Sequence, residues 1–306
     1  MADFDNLLML TSRTFGLSIP LLEEPHRRRL TLAYLLFRVA DTLEDAENLP
    51  RSERVNALLD LRRVLSENDR VRAEKLGRQW VAWRPSTHAG YLELLAAFPE
   101  LTRAIDDLEA PGNQMIVRHV CRTIDGMLEF VGRSNPSGNL QLETRDELLR
   151  YCYAVAGIVG ELITELFVTS IHDLQPVAAD LQRLAAKFGE GLQLVNILRD
   201  ASEDAHYGRI YLPKDVSHEE VFELARQDLD AAEAYVTAVR RCGTGDGVVP
   251  FLEFPLRLAM KTLDSVQSEG PGAKLTRHQV ADILRQIDGR FRTPESLPLS
   301  LKGYGA

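Results

Sequence analysis

Gln193-Leu194-Val195-Asn196-Ile197-Leu198-Arg199-Asp200-Ala201-Ser202-Glu203-Asp204 is the stretch on which the reading of this chain turns. At roughly 100° per residue, a helix carries Asn196, Asp200 and Asp204 along one face, with Glu203 and Gln193 beside them. Leu194, Leu198, Ala201 and Ala205 fall on the opposite face. An earlier stretch, Tyr34-Leu35-Leu36-Phe37-Arg38-Val39-Ala40-Asp41-Thr42-Leu43-Glu44-Asp45, does the same. Asp41 and Asp45 stand one turn apart, Glu44 and Arg38 flank them, and the preceding residues are apolar on every side, as in a buried helix.

Like charges at i and i+4 repel, and a buried ionised carboxylate is costly unless it is paired or metal-bound. Something cationic must therefore meet these acids. An all-oxygen donor set suits a hard ion, and Mg²⁺ typically takes one or two carboxylates, several waters and substrate phosphate oxygens. Two such helices facing one another would hold a Mg²⁺ cluster with a diphosphate between them. Either motif alone is better read as an ordinary acidic helix face, solvated or paired with lysines. Together, each in an apolar context with an arginine alongside, they favour the metal site.

The 306 residues are 45% hydrophobic and 26% charged, the balance of a globular protein with a sizeable core. No Pro/Gly/Ser-rich linker divides them, so residues 1–306 are expected to form a single domain, with a loosely held tail from about 292 to 306. A net charge of -9 argues against nucleic-acid partners. Cys121, Cys152 and Cys242 have neither disulfide-scaffold nor zinc spacing, which fits a reducing cytoplasm. The N-terminus carries no secretory signal pattern, and no run reaches the ~18–20 uninterrupted apolar residues of a membrane span.

Helical periodicity accounts for most of the chain, with expected helices over about 3–14, 25–48, 52–66, 90–108, 114–131, 144–162, 217–241 and 249–267, and a last one that follows Lys274 and Arg277 and runs to about 290, besides that of Asp200. Residues 67–90 suggest a helical piece and a loop. Thr144 with Glu147 has the spacing of a capping box. Ser12-Arg13 at a helix end is either a cap or a diphosphate cradle. Ala156, Gly157 and Gly160 weaken a helix and so point to close approach by a neighbouring helix or a ligand. No β-rich alternation or internal repeat occurs, and the expected class is all-α.

Four stretches in this order resemble the squalene/phytoene synthase family of head-to-head prenyltransferases, from Ser12 to about Leu284: Ser12-Arg13-Thr14-Phe15, Arg38 to Asp45, Tyr151 to Gly160, and Asn196 to Asp204 with Gly208-Arg209-Ile210-Tyr211-Leu212-Pro213. The resemblance implies the isoprenoid synthase fold, a helical bundle around a central cavity, and Mg²⁺-dependent condensation of two allylic diphosphates. It assigns Asp41, Glu44, Asp45, Asn196, Asp200 and Asp204 to the metal. Ser12, Arg13, Arg38, Arg199 and Arg209 would grip diphosphate oxygens. Tyr34, Gln193 and Tyr151 would lie around the reacting carbons, with proton transfer or cation stabilisation left open for Tyr151. A carbocation also needs a dry pocket with aromatic faces, for which Phe15, Phe37, Tyr153 and Phe188 are further candidates.

The Asp41 to Asp45 motif resembles squalene synthases, whereas Gly208 to Pro213 resembles bacterial phytoene, dehydrosqualene and presqualene diphosphate synthases. Farnesyl diphosphate is the favoured substrate and squalene, by way of presqualene diphosphate, the favoured product. That product requires hydride from NADPH. Lys274 and Arg277 form either a segment for this cofactor or a solvated basic turn. An insoluble product suggests peripheral membrane contact. A terpene cyclase acting on one diphosphate and a non-enzymatic helical scaffold are the competing classes.

Overall fold

The computed structural model describes residues 2–135, 139–244 and 247–288. Its helices are α1 (Phe4–Thr11), α2 (Phe15–Ser18), α3 (His26–Glu44), α4 (Arg51–Glu67), α5 (Arg70–Trp83), α6 (Ala89–Ala96), α7 (Phe98–Asp106), α8 (Gly112–Arg133), α9 (Arg145–Cys152), α10 (Ile158–Ser170), α11 (Ala178–His206), α12 (His218–Arg241), α13 (Val248–Glu269) and α14 (Arg277–Ile287). A π-turn over Tyr153–Gly157 joins α9 to α10. Two two-residue strands, β1 (Leu140–Gln141) and β2 (Arg209–Ile210), pair in parallel. The all-α expectation holds.

The apolar surround of the first acidic motif has the consequence its sequence requires. Leu32, Leu35, Leu36, Val39, Ala40 and Leu43 of α3 have no exposed surface. Each fully buried Leu or Val contributes about 1.5–3 kcal/mol of burial, which anchors that side of α3 in the core, while Tyr34, Arg38, Asp41 and Asp45 share a face that stays at least partly open. One continuous core of buried side chains runs from Phe4 to Ala273. A satellite cluster of Leu17, Phe254, Val280, Ile283 and Leu284 seats α14.

The small residues after Tyr151 serve helix packing. A Cβ on Gly160 would lie 2.1 Å from the Ala185 carbonyl oxygen, and one on Gly189 would lie 2.0 Å from that of Ala156. Only glycine lets α10 and the π-turn approach α11 this closely. Arg145–Ser170, counted with its π-turn, is long and apolar enough to cross a membrane, but 56% of its apolar window is buried in the bundle, where it packs as a core helix.

Several boundaries differ from expectation. The stretch expected as one helix over 90–108 is broken at Ala97 into α6 and α7, with Pro99 in the first turn of the second, whereas 67–90 holds the expected helical piece, α5, and loop. Thr144 Oγ1 does accept from the Glu147 amide, at 3.3 Å. The Glu147 carboxylate, however, accepts from the Glu143 amide, so the reciprocal half of the box is displaced by one residue. The first motif stops its helix at Glu44 rather than near Asn48, with Asp45 as C-cap. The tail expected to be loose from about 292 lies outside the described residues.

Candidate active site

Both acidic motifs occupy helix C-termini. Asp41, Glu44 and Asp45 close α3, while Asp200 and Asp204 lie in the last two turns of α11, which ends at His206. A helix C-terminus already carries roughly half a negative charge, so each motif adds anions where the backbone disfavours them. Such an arrangement needs cations.

Arg209 meets both motifs. Its Nη1 lies 3.7 Å from Asp45 Oδ1 and 3.1 Å from Glu47 Oε1, and its Nε lies 3.6 Å from Asp204 Oδ1. The short parallel pairing aims it there: the Leu140 amide donates to the Gly208 carbonyl at 3.0 Å and the Leu142 amide to that of Ile210 at 2.9 Å. Gly208 takes φ +75°, and a Cβ there would lie 2.4 Å from Asn139 Oδ1, so the turn requires glycine.

The other acids are likewise drawn to arginines. Arg38 Nη1 lies 3.3 Å from Asp41 Oδ2, and Arg199 clasps Asp200 through Nε at 2.7 Å and Nη2 at 2.5 Å. Burial, only partly offset by Arg38, pushes the Asp41 carboxyl up to about 6. Burial, with Asp200 and Asp45 nearby, does the same to Asp204, also to about 6 despite Arg209. Burial and the charges of Asp45 and Asp41 push Glu44 well above the carboxylate range. These acids are short of positive charge.

Asn196 and Gln193 stand half-buried on α11, one turn and two turns before Asp200. Among the described residues no three His, Cys, Asp or Glu side chains gather into a ready metal cage. The donor chemistry nevertheless fits Mg²⁺, which asks for oxygen ligands and only one or two carboxylates alongside water and phosphate.

Tyr34 and Arg38 are brought together with the Ser12 turn. Tyr34 donates its hydroxyl to the Thr11 carbonyl at 2.7 Å and accepts from Arg38 Nε at 3.1 Å. The Arg38 guanidinium lies 5.5 Å over the rings of both Tyr34 and Tyr91, and Phe15 packs on Tyr34 at 5.7 Å. Ser12 itself is a cap, its Oγ accepting from the Phe15 amide at 2.9 Å, while Arg13 is exposed.

Tyr151 is buried, edge-on to Phe130 at 5.2 Å and stacked on Tyr211 at 4.7 Å. Burial and then Tyr211 and Glu44 push its hydroxyl well above the usual phenol value, which keeps it protonated. Tyr153 does not share these surroundings: its hydroxyl accepts from Arg122 at 2.7 Å and donates to Glu161 at 3.0 Å. Phe188 packs edge-on to Tyr235 at 5.6 Å, and Phe37 is buried. The turn bearing Lys274 rests against α11, where the Gly272 amide donates to the Arg199 carbonyl at 2.7 Å. Lys274 is exposed and Arg277 opens α14.

Sequence patterns passed over Arg54, Glu47 and the role of Tyr211. Arg54 is buried, donates from Nη1 to the Glu44 carbonyl at 3.0 Å, and faces the Glu44 and Asp45 charges. A signal existed: Arg54 occupies the apolar stripe continued by Ala57, Leu58 and Leu61. A cleft of about 530 Å³ between α4, α7 and α8 contains none of the motif residues and is separate from the site.

An all-helical bundle in which two acidic helix ends converge is the architecture of the isoprenoid synthases. A squalene synthase structure, the TcSQS complex with BPH1237, superposes with a TM-score of 0.71 at 26% identity, covering 98% of this chain and 89% of that one. A dehydrosqualene synthase structure shares the fold at a TM-score of 0.54 and 19% identity. The squalene/phytoene synthase profile matches residues 8–282, and the chain belongs to that family.

Curated relatives include Botryococcus squalene synthase of Botryococcus braunii, 27% identical over 261 residues, covering 81% of this chain and 52% of that protein. The squalene synthase of Gibberella zeae is 30% identical over 210 residues, covering 68% of this chain and 42% of its own. The human squalene synthase is 29% identical over 208 residues, covering 67% and 45%. The chain thus spans about half the length of the curated relatives it matches.

Proposed function

We propose that this chain is a prenyltransferase that condenses two farnesyl diphosphates head to head, giving presqualene diphosphate and then squalene. The observation that carries the reading is the convergence of both acidic helix ends on Arg209, beside the stacked Tyr151 and Tyr211. Asp41, Glu44, Asp45, Asn196, Asp200 and Asp204 are the residues to hold Mg²⁺, which would supply charge to the departing diphosphate. Arg38, Arg199 and Arg209, each already beside a carboxylate, bind diphosphate oxygens with Ser12 and Arg13.

In the first step one diphosphate leaves as pyrophosphate, the second substrate's double bond attacks the allylic cation, and a proton is lost as the cyclopropane closes. The second pyrophosphate would leave in the next step, and the rearranged cation would then need a hydride, which NADPH would supply when bound. Tyr151 is the residue to steady the cation or relay the proton, a reading supported by its protonated hydroxyl and its aromatic neighbours Phe130 and Tyr211. Tyr34 and Gln193 are the further residues to lie around the reacting carbons. Lys274 and Arg277 are the residues to meet NADPH, supported by the seat of their turn on the Arg199 carbonyl. The insoluble product favours peripheral contact with a membrane.

Condensation without reduction is the second reading, supported by Gly208 to Pro213. Mg²⁺-dependent pyrophosphate release tests the proposal. The native chain is expected to turn over and Asp200→Asn to lose at least about a hundredfold in kcat. A helical scaffold would release nothing, and a cyclase would release one pyrophosphate per monomeric C15 product.

A further inference from the structure

Tyr151 stands two residues before the π-turn of Tyr153–Gly157, in the last turn of α9. Single π-turns are wider than α-helical geometry and rare, and they persist where tertiary contacts hold them. Relaxation to a regular α-helix would rotate Tyr151 by roughly 100° about the axis relative to α10. That rotation would take its ring off Tyr211. What holds the turn therefore sets the tyrosine.

The inner side of the turn is pinched at Gly189-Glu190-Gly191 of α11. A Cβ on Gly189 would lie 2.0 Å from the Ala156 carbonyl oxygen, and one on Gly191 would lie 3.1 Å from the backbone of Asp228 on α12. Glu190 stands between these two close approaches and is 6% exposed. Its Oε1 lies 3.2 Å from where a Gly157 Cβ would be, and its Oε2 accepts from Lys187 Nζ at 2.7 Å. The same ammonium lies 3.3 Å from Asp228 Oδ1.

Asp228 is also 6% exposed, and its Oδ2 is buried with no hydrogen-bond partner among the described residues. Burial, then the charge of Glu190, raises its carboxyl to about 6 despite Lys187. Two buried carboxylates share one ammonium at a three-way junction. Apolar side chains of similar volume would pack such a junction at less cost, so the charges are better explained by the register they impose.

We propose that Lys187, Glu190 and Asp228 are positioning residues that lock α11 and α12 onto the π-turn and thereby hold Tyr151 against Tyr211 and Phe130. The inference rests on Tyr151 acting in the condensation proposed above. Lys187→Met removes the shared cation while keeping an apolar stem. In the full chain this variant is expected to exchange amide hydrogens over residues 151–160 about tenfold faster, with α4 unchanged. Its kcat for pyrophosphate release from farnesyl diphosphate should fall about tenfold with KM within about twofold.

Lys187→Arg, which restores the cation, should bring both readouts back toward native values. Tyr151→Phe added to Lys187→Met should cost less than Tyr151→Phe alone, because the ring is already displaced. Unchanged exchange over 151–160, or losses that multiply, would overturn the proposal. Asp228→Asn, equal in size, is put through the same measurements where Lys187→Met does not fold. If the native chain releases no pyrophosphate, the condensation reading fails, and the exchange result still decides whether the cluster holds the turn.

Discussion

Asp41 and Asp204 bind protons up to about 6, against an ordinary 3.8, because burial outweighs their arginine partners. Each folded-state value lies above the unfolded one, so between roughly pH 4 and 6 the folded protein holds more protons than the unfolded chain. Stability contributed by these groups is therefore greatest at low pH and is lost as pH rises through about 6. The metal-free protein should melt higher at pH 5 than at pH 7. Asp41→Asn and Asp204→Asn should each raise the pH 7 midpoint of the metal-free protein by about 2–4 °C. Calorimetry checks this, and a lowered midpoint would mean that these carboxylates are satisfied as they stand. The same Asp41→Asn change should abolish turnover. Tyr151→Phe should reduce condensation far more than diphosphate binding; equal loss of both would give the ring a packing role.

At the scale of elements, the glycines carry the geometry. Gly160→Ala and Gly189→Ala place a methyl about 2 Å from a backbone carbonyl on the neighbouring segment. Each should cost about 1–3 kcal/mol of stability, readable as a shift in the denaturant midpoint. Close helix approach was legible in the run from Ala156 to Gly160, because glycine in a helix interior is unfavourable without a packing reason. The acidic faces of α3 and α11 were legible from spacing alone. The π-turn was not, since it inserts one residue into a pattern that still reads as continuous helix; Tyr153, one candidate for an aromatic face, has its hydroxyl on Arg122 and Glu161. Arg54 was missed because periodicity counts a cation on an apolar stripe as noise, whereas in the fold it lies beneath the Glu44 carbonyl.

Across the whole molecule, two helices far apart in sequence end at one place, and a two-residue strand pair returns Arg209 between them. Each acidic motif announced a need for cations: Arg38 and Arg199 meet Asp41 and Asp200 from within the same helices, Arg54 comes from the next helix to Glu44, and only Arg209 reaches Asp45 from distant chain. No local pattern encodes that meeting. It follows from the anchoring of α3 in the core and from the packing of α10 and α12 on α11. The decisive measurement is product analysis of the purified chain with Mg²⁺ and farnesyl diphosphate, with and without NADPH, and separately with geranylgeranyl diphosphate. Presqualene diphosphate without NADPH and squalene with it are the predicted results. Turnover confined to geranylgeranyl diphosphate, or monomeric C15 products alone, would contradict the account.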